Sequence, residues 1–233
     1  MSARDQIIST CLKQAAPHNW LVHKLFLQHF YDAVATYATG RLLDIGCATK
    51  PWKPILDPFV SEYVGVDHVD SPHQLEYVDI VADAYDTTVE GSSFDTVIST
   101  AVLEHLERPQ DAIDEMFRVL KPGGHAIISA PLFWHLHEEP RDFFRYTRYG
   151  LAYMFESAGF EVVQTTPMSG FIVTFGQELC YFISFFGRRR VLKPFVRIAQ
   201  FMIQRLAYLL NKIDRSKTFT WAYLVVAHKP DPS

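Results

Sequence analysis

The chain of 233 residues has little cysteine: Cys11, Cys47 and Cys180 stand far apart and follow no metal-ligand spacing. That excludes a disulfide framework and makes a reducing cytoplasm the simplest compartment. No secretory pattern follows MSARDQ. Long hydrophobic runs are also missing. The longest, 171–186, has 16 residues and contains Gln177 and Glu178, short of the roughly 20 apolar residues a bilayer-spanning helix needs. There is no surplus of cations either; the net charge of -4 gives no reason to expect nucleic acid as a partner. Finally, the stretch RLLDIGCATKPW (41–52) looks like a strand entering a cofactor loop but holds one glycine. Without G-x-G-x-x-G, a nicotinamide-dependent dehydrogenase is disfavoured.

What is present suits a folded α/β chain. Hydrophobic residues make up 48% and charged residues 21%, which argues against general disorder. The length fits a single domain with a substantial core. Residues 4–39 read as helical, and Gly40 ends them. Short β-rich runs then follow at 42–46, 63–67, 77–83, 94–100, 125–131 and 160–166, with helices around 109–120 and 147–158. A Pro-broken turn lies at 51–58. After Pro167 the pattern becomes helical, apolar and basic until a last strand at 219–229. The expectation is a Rossmann-like, seven-stranded, mostly parallel sheet with helices on both faces and a helical insertion before the last strand. In one domain this gives an N-terminal helical segment (1–40), a core (41–167), an insertion (168–218) and the final strand.

In such sheets ligands bind beyond the carboxyl ends of the strands. Here those ends carry Asp44 and Gly46, then Asp67, then Asp83 with Ala84, then Thr100 with Ala101. Acids at three successive strand ends suit an uncharged nucleoside bearing a cation better than phosphates. Each residue alone has a plainer reading, a solvated carboxylate or a turn glycine. Taken together and in order, LLDIGC, YVGVD, VADAYD, FDTVISTAVLEHLERP, FRVLKPGGHAIISAPL and HEEPRDFFRYTRYGLAYMFESAGFEV resemble the class I S-adenosylmethionine-dependent methyltransferases. HEEPRDFFRYT resembles a small-molecule subgroup whose first loop carries the Lys50-Pro51 pair, and Ala48 departs from it where Gly is usual.

The resemblance implies S-adenosylmethionine as cofactor. Asp44, Gly46 and Cys47 would line its methionine part, and Asp67 would hold the ribose with His68 beside it. Asp83 and Ala84 would contact adenine, and Thr100 would sit near the sulfonium. At Ala48 a Cβ costs about 1 kcal/mol if φ is positive and little if it is negative.

Acceptor groups are expected after the fourth and fifth strands. His105 and His137 are the candidate bases, because an imidazole can take a proton near neutral pH. His105 resembles the Glu-His pair of ubiquinone-type O-methyltransferases, where Glu-x-x-Glu-His can bind a divalent metal. Ala101 stands at the first Glu position, and His135-x-His137 lacks a third ligand in sequence, so no metal is expected. Arg141, Asp142, Arg145 and Tyr146 are the candidates for acceptor recognition; the competing reading is that the arginines fasten their own loop. The expected substrate is small or lipid-like, methylated at oxygen. A second reading keeps the fold but makes the chain a cofactor-binding or membrane-binding or partner-binding module without catalysis.

Residues 188–217 carry nine Lys or Arg and one acid, Asp214, so this segment is +8 and the remainder -12. On a helix, Arg190, Lys193, Arg197, Gln204, Arg205, Asn211 and Lys212 share an arc of about 120°, interrupted by Phe201 and Tyr208, with apolar residues around the rest. This suits a helix lying on an anionic membrane surface from the cytoplasmic side, or equally a cap packed on the core or a dimer partner.

Overall fold

A computed structural model describes residues 2–71, 75–214 and 216–232; Arg215 of the basic segment therefore lies outside the described residues. The chain opens with α1 (Ala3–Leu12), whose first turn is closed by reciprocal hydrogen bonds between Ser2 and Asp5. Next come α2 (Trp20–Tyr37), β1 (Arg41–Ile45), the single turn α3 (Lys53–Leu56), β2 (Glu62–Asp67), β3 (Ile80–Val81) and β4 (Phe94–Thr100). Helix α4 (Pro109–Val119) runs directly into β5 (Leu120–Pro131). Then follow α5 (Arg148–Ser157), β6 (Glu161–Pro167), the insertion helices α6 (Phe171–Ser184) and α7 (Lys193–Leu210), and β7 (Ala222–His228).

The seven strands form one sheet in the order β3-β2-β1-β4-β5-β7-β6. All pairs are parallel except those of β7, which runs antiparallel to both β5 and β6. Because successive side chains point to opposite faces, each central strand feeds two cores. Leu43, Val97, Ile128 and Val225 pack with α4 and α5. Leu42, Ile98, Ile127 and Leu224 pack with α1, α2 and α3 on the other face. Helix α4 shows why it docks: Ala112, Ile113, Met116 and Val119 share one side and are fully buried.

Two details differ from expectation. The run 77–83 gives only the two-residue β3, since Leu75–Tyr77 is a 3-10 turn and Ala82 begins the exit from the edge of the sheet. The glycines of Lys121-Pro122-Gly123-Gly124 lie inside β5, as an irregularity between Leu120, paired with Phe94, and His125, paired with Thr96.

Strand order reverses between β1 and β4, so a crevice opens beyond their carboxyl ends. The insertion adds a third layer. Val173 of α6 and Ala207 of α7 pack on Leu21 and Leu25 of α2, bringing the insertion to the rim of that crevice.

Candidate active site

The loop after β1 is hooked over β2. The amides of Gly46 and Cys47 both donate to the Val66 carbonyl, at 2.9 and 3.1 Å. Gly46 has φ +81°, and a Cβ there would lie 2.4 Å from Val102 Cγ2, so glycine is required. Ala48 follows at φ +46° and Lys50 at φ +53°. The loop therefore keeps a left-handed shape at Ala48 despite the Cβ. Its amide donates to Asp67 Oδ2 at 2.7 Å, which ties the first loop to the end of β2. Lys50 bonds Asp79 from the same loop.

Asp44 is 1% exposed, and its Oδ2 accepts the Tyr63 hydroxyl at 2.5 Å. Its Oδ1 is buried without a partner. Burial pushes its pKa up to about 7, with the nearby Asp67 carboxylate adding to the rise. A carboxylate half-satisfied in this way is suited to a ligand cation, such as the ammonium of a methionine group. Cys47 differs from its expected role. Its thiol is buried, its pKa pushed up to about 12 by burial, and its sulfur occupies the space a Cβ on Gly65 would need. Only its backbone is left to meet a ligand. His68 Nε2 lies 3.9 Å from Asp83 Oδ2, so the ends of β2 and β3 meet there, with Ala84 next in the chain.

Beyond β4 and β5 the crevice deepens into a cavity of about 180 Å³. Thr100, Trp52, Glu104, Trp134, His137 and Tyr181 line it. Thr100 Oγ1 accepts the Trp52 indole N–H at 2.9 Å, and Trp52 rests on Phe26. Glu104 is 1% exposed, its Oε2 has no partner, and burial raises its pKa to about 8. His105 and His137 stack edge to face at 4.8 Å between ring centroids, and their Nε2 atoms lie 4.0 and 3.9 Å from Glu104 Oε1. Each ring is anchored through Nδ1, His105 on the Arg141 carbonyl at 2.6 Å and His137 on the His135 carbonyl at 3.3 Å; Asp142 Oδ2 accepts the His137 backbone N–H at 2.9 Å and lies 3.4 Å from its Nδ1. Burial holds the His137 pKa below its ordinary value, with the neighbouring His105 as a further cause. His105, His137 and Glu104 thus present three ligand atoms within 4.8 Å of one another. Folding brings in a third candidate donor that sequence spacing did not supply.

The four residues expected to recognise an acceptor do not line the cavity. Arg145 forms a bidentate pair with Asp142, at 2.6 and 2.8 Å, and also donates to the Trp134 and His135 carbonyls. Arg145 holds the Asp142 carboxyl far below the usual carboxylate range. The Tyr146 hydroxyl donates to the Leu103 carbonyl at 2.7 Å from a buried position. Arg141 lies in the open, 3.9 Å from Glu107. These residues build the wall that carries His137. The wall facing it was missed in the sequence: Asn19, His23 and Phe26 of the N-terminal helical segment and Tyr181 of α6 all line the cavity. Their only signal was aromatic and polar residues on otherwise core-like helices.

Residues 21–165, more than half of the chain, match the methyltransferase-domain family. The chain belongs to that family. Over 105 residues, this methyltransferase is 31% identical to the demethylmenaquinone methyltransferase of Clavibacter sepedonicus, covering 41% of the chain and 43% of the relative. It is 28% identical over 113 residues to the ubiquinone biosynthesis O-methyltransferase of Pseudomonas fluorescens (strain SBW25), covering 43% and 48%. The matched region thus spans less than half the length of either relative. Among solved structures, the [4+2]-cyclase SpnF aligns with a TM-score of 0.58 over 88% of this chain and 82% of that one, at 21% identity. That likeness bears on the fold alone.

Proposed function

We propose that the chain is an S-adenosylmethionine-dependent methyltransferase of the HEEPRDFFRYT-containing group, methylating a small or lipid-like acceptor at oxygen in the cytoplasm. The observation that carries this is the placement of a largely apolar cavity, holding Glu104 and His137, next to the strand ends bearing Asp44, Asp67 and Asp83. Bound S-adenosylmethionine supplies an activated methyl group on its sulfonium. Asp44 would hold the cofactor's ammonium through its unpartnered oxygen, and Asp67, which accepts the Ala48 amide, would accept the ribose hydroxyls. Asp83 and Ala84 would hold the adenine, with His68 at the same edge.

The protein's work is then alignment, exclusion of water and handling of one proton. Trp134, Tyr181 and Trp52 give the acceptor apolar walls. His137 is neutral around pH 7, is oriented by Asp142, and takes the proton of the acceptor hydroxyl. Two relatives, by name a demethylmenaquinone methyltransferase and a ubiquinone biosynthesis O-methyltransferase, support a quinone-type acceptor.

Calorimetric titration with S-adenosylmethionine tests the cofactor. The parent should bind, and Asp67→Ala should weaken binding at least about tenfold through loss of hydrogen bonds to a charged group. Absence of binding by the parent removes this reading and leaves a non-catalytic module; unchanged affinity in the variant removes the ribose assignment. A screen of metabolite and lipid extracts for labelled methyl acceptors identifies the substrate class.

A further inference from the structure

Helix α7 is amphipathic in reverse. Its protein-facing side holds Gln200 and Gln204, buried with Ala207. Gln204 accepts the Leu21 amide at 2.9 Å and donates to the Pro17 carbonyl at 3.0 Å. Gln200 donates to the Cys180 carbonyl at 2.9 Å and to Ser184 Oγ at 2.7 Å. Polar contacts therefore pin the helix to α6 and to the entry of α2, and its apolar side turns outward. Phe195, Ile198, Met202, Leu206, Leu209 and Ile213 are 56–71% exposed. On α6 a second exposed stripe runs through Phe171, Phe175, Leu179 and Phe182, at spacings of three or four residues that place them along one side, and exposed Phe186 follows in the next turn. Scattered exposed apolar residues need no explanation, whereas two contiguous stripes mark an interaction surface.

Charge says what covers it. Arg188, Arg189, Arg190, Lys193 and Arg197 are exposed around the α6–α7 junction, and among the described residues none has an acid within ion-pair distance. At about 100° per residue Arg205, and Lys212 just past the helix end, lie beside the apolar arc of α7, while Arg197 lies on the same flank nearer the buried glutamines. The segment's acid, Asp214, is consumed by the Ile172 amide and by Ser216. A second copy facing this layer would set the same cations against one another. An anionic lipid surface would complement them while accepting the phenylalanines below its headgroups. No helix of the described residues is long and apolar enough to cross a membrane, so the layer would lie on the surface. We propose that the α6–α7 layer docks this protein onto anionic bilayers. If the methyltransferase reading holds, docking also gives a lipid-like acceptor a way in. Phe171, Phe175, Phe133 and Phe219 form a chain of ring contacts, 4.5 to 6.4 Å between centroids, from the lipid-facing stripe to the loop carrying Trp134.

Co-sedimentation of the full chain with vesicles decides the matter, using phosphatidylcholine alone and phosphatidylcholine mixed with phosphatidylglycerol. The parent should pellet with the mixed vesicles only, and added salt should release it. Replacing Arg188, Arg189, Arg190 and Arg197 by Gln should weaken binding on the order of a hundredfold, each such cation contributing up to about fivefold near an anionic surface. Phe182→Ser with Phe195→Ser should also abolish pelleting while melting behaviour stays that of the parent, because both rings are exposed. A parent that stays in the supernatant with mixed vesicles overturns the proposal. So does a concentration-dependent dimer, without vesicle binding, that the phenylalanine variants dissolve. Titration of the four-arginine variant with S-adenosylmethionine keeps the two readings apart: unchanged cofactor affinity with lost pelleting is the result expected.

Discussion

At Ala48 the backbone holds φ at +46°, a conformation that costs an L-residue with a Cβ about 1 kcal/mol or more. The residue stays there because its neighbours fix it. Gly46 turns the chain, Asp67 accepts the Ala48 amide, and Lys50 is tied to Asp79. The departure from the usual glycine thus costs stability without opening the loop. Ala48→Gly should raise the free energy of unfolding by about 1 kcal/mol, less whatever the freer unfolded chain takes back. Denaturant melts of the two proteins measure this, and a destabilised variant would mean the loop is shaped otherwise.

Glu104 makes a second prediction at the same scale. Its pKa is raised by burial to about 8, against about 4.3 in an unfolded chain. Its protonated form therefore favours the folded state. That contribution is complete below about pH 4 and is lost as pH rises to about 8. Asp44, raised to about 7, has the same sign. Melting temperatures without cofactor should fall across this window, and Glu104→Gln should flatten the fall. A slope unaffected by the substitution would place the titration elsewhere.

At the scale of elements, the segment between β5 and α5 is where expectation and structure differ most. Sequence singled out Arg141, Asp142, Arg145 and Tyr146 as charged or aromatic residues on an irregular segment, which is the profile of a binding loop. Folding uses Asp142, Arg145 and Tyr146 as fasteners, for Arg145 the competing reading that the sequence also offered, while the Arg141 side chain lies in the open. Arg145 and Asp142 satisfy one another, Arg145 also satisfies three carbonyls, and Tyr146 bonds the Leu103 carbonyl from within. What they fasten is His137. His137→Ala should lower turnover by about two to four orders of magnitude, the usual worth of a positioned base. Arg145→Ala should act more weakly, chiefly by raising KM, because the imidazole remains but its loop is freed. Chelation should leave the parent rate unchanged; loss on chelation with recovery on adding a divalent cation would assign the Glu104, His105 and His137 trio to a metal. The short β3 has a comparable lesson. Its β-rich run predicted seven strand residues, but an edge position beside only β2 gave pairing to two.

For the whole molecule, the sheet was legible because a buried parallel strand must be apolar on both faces, and no other element leaves such short runs between amphipathic helices. The strand-end acids were legible for the same reason: they interrupt those runs where the chain leaves the core. The insertion was half legible. Its basic arc and apolar remainder could be drawn on a helix, but a projection does not say which side meets the protein. Tertiary structure decided that by burying Gln200 and Gln204 against the Pro17 and Leu21 backbone and against Cys180 and Ser184 of α6. The sequence alone thus determined the layers, their order along the chain and the residues at the strand ends, all of which follow from local periodicity. Only tertiary structure decided that His137 meets Glu104 and His105, that Asn19, His23 and Tyr181 close the same cavity, and that the phenylalanines of α6 and α7 face outward. Those facts depend on contacts between residues far apart in the chain, whose pairing no local pattern encodes.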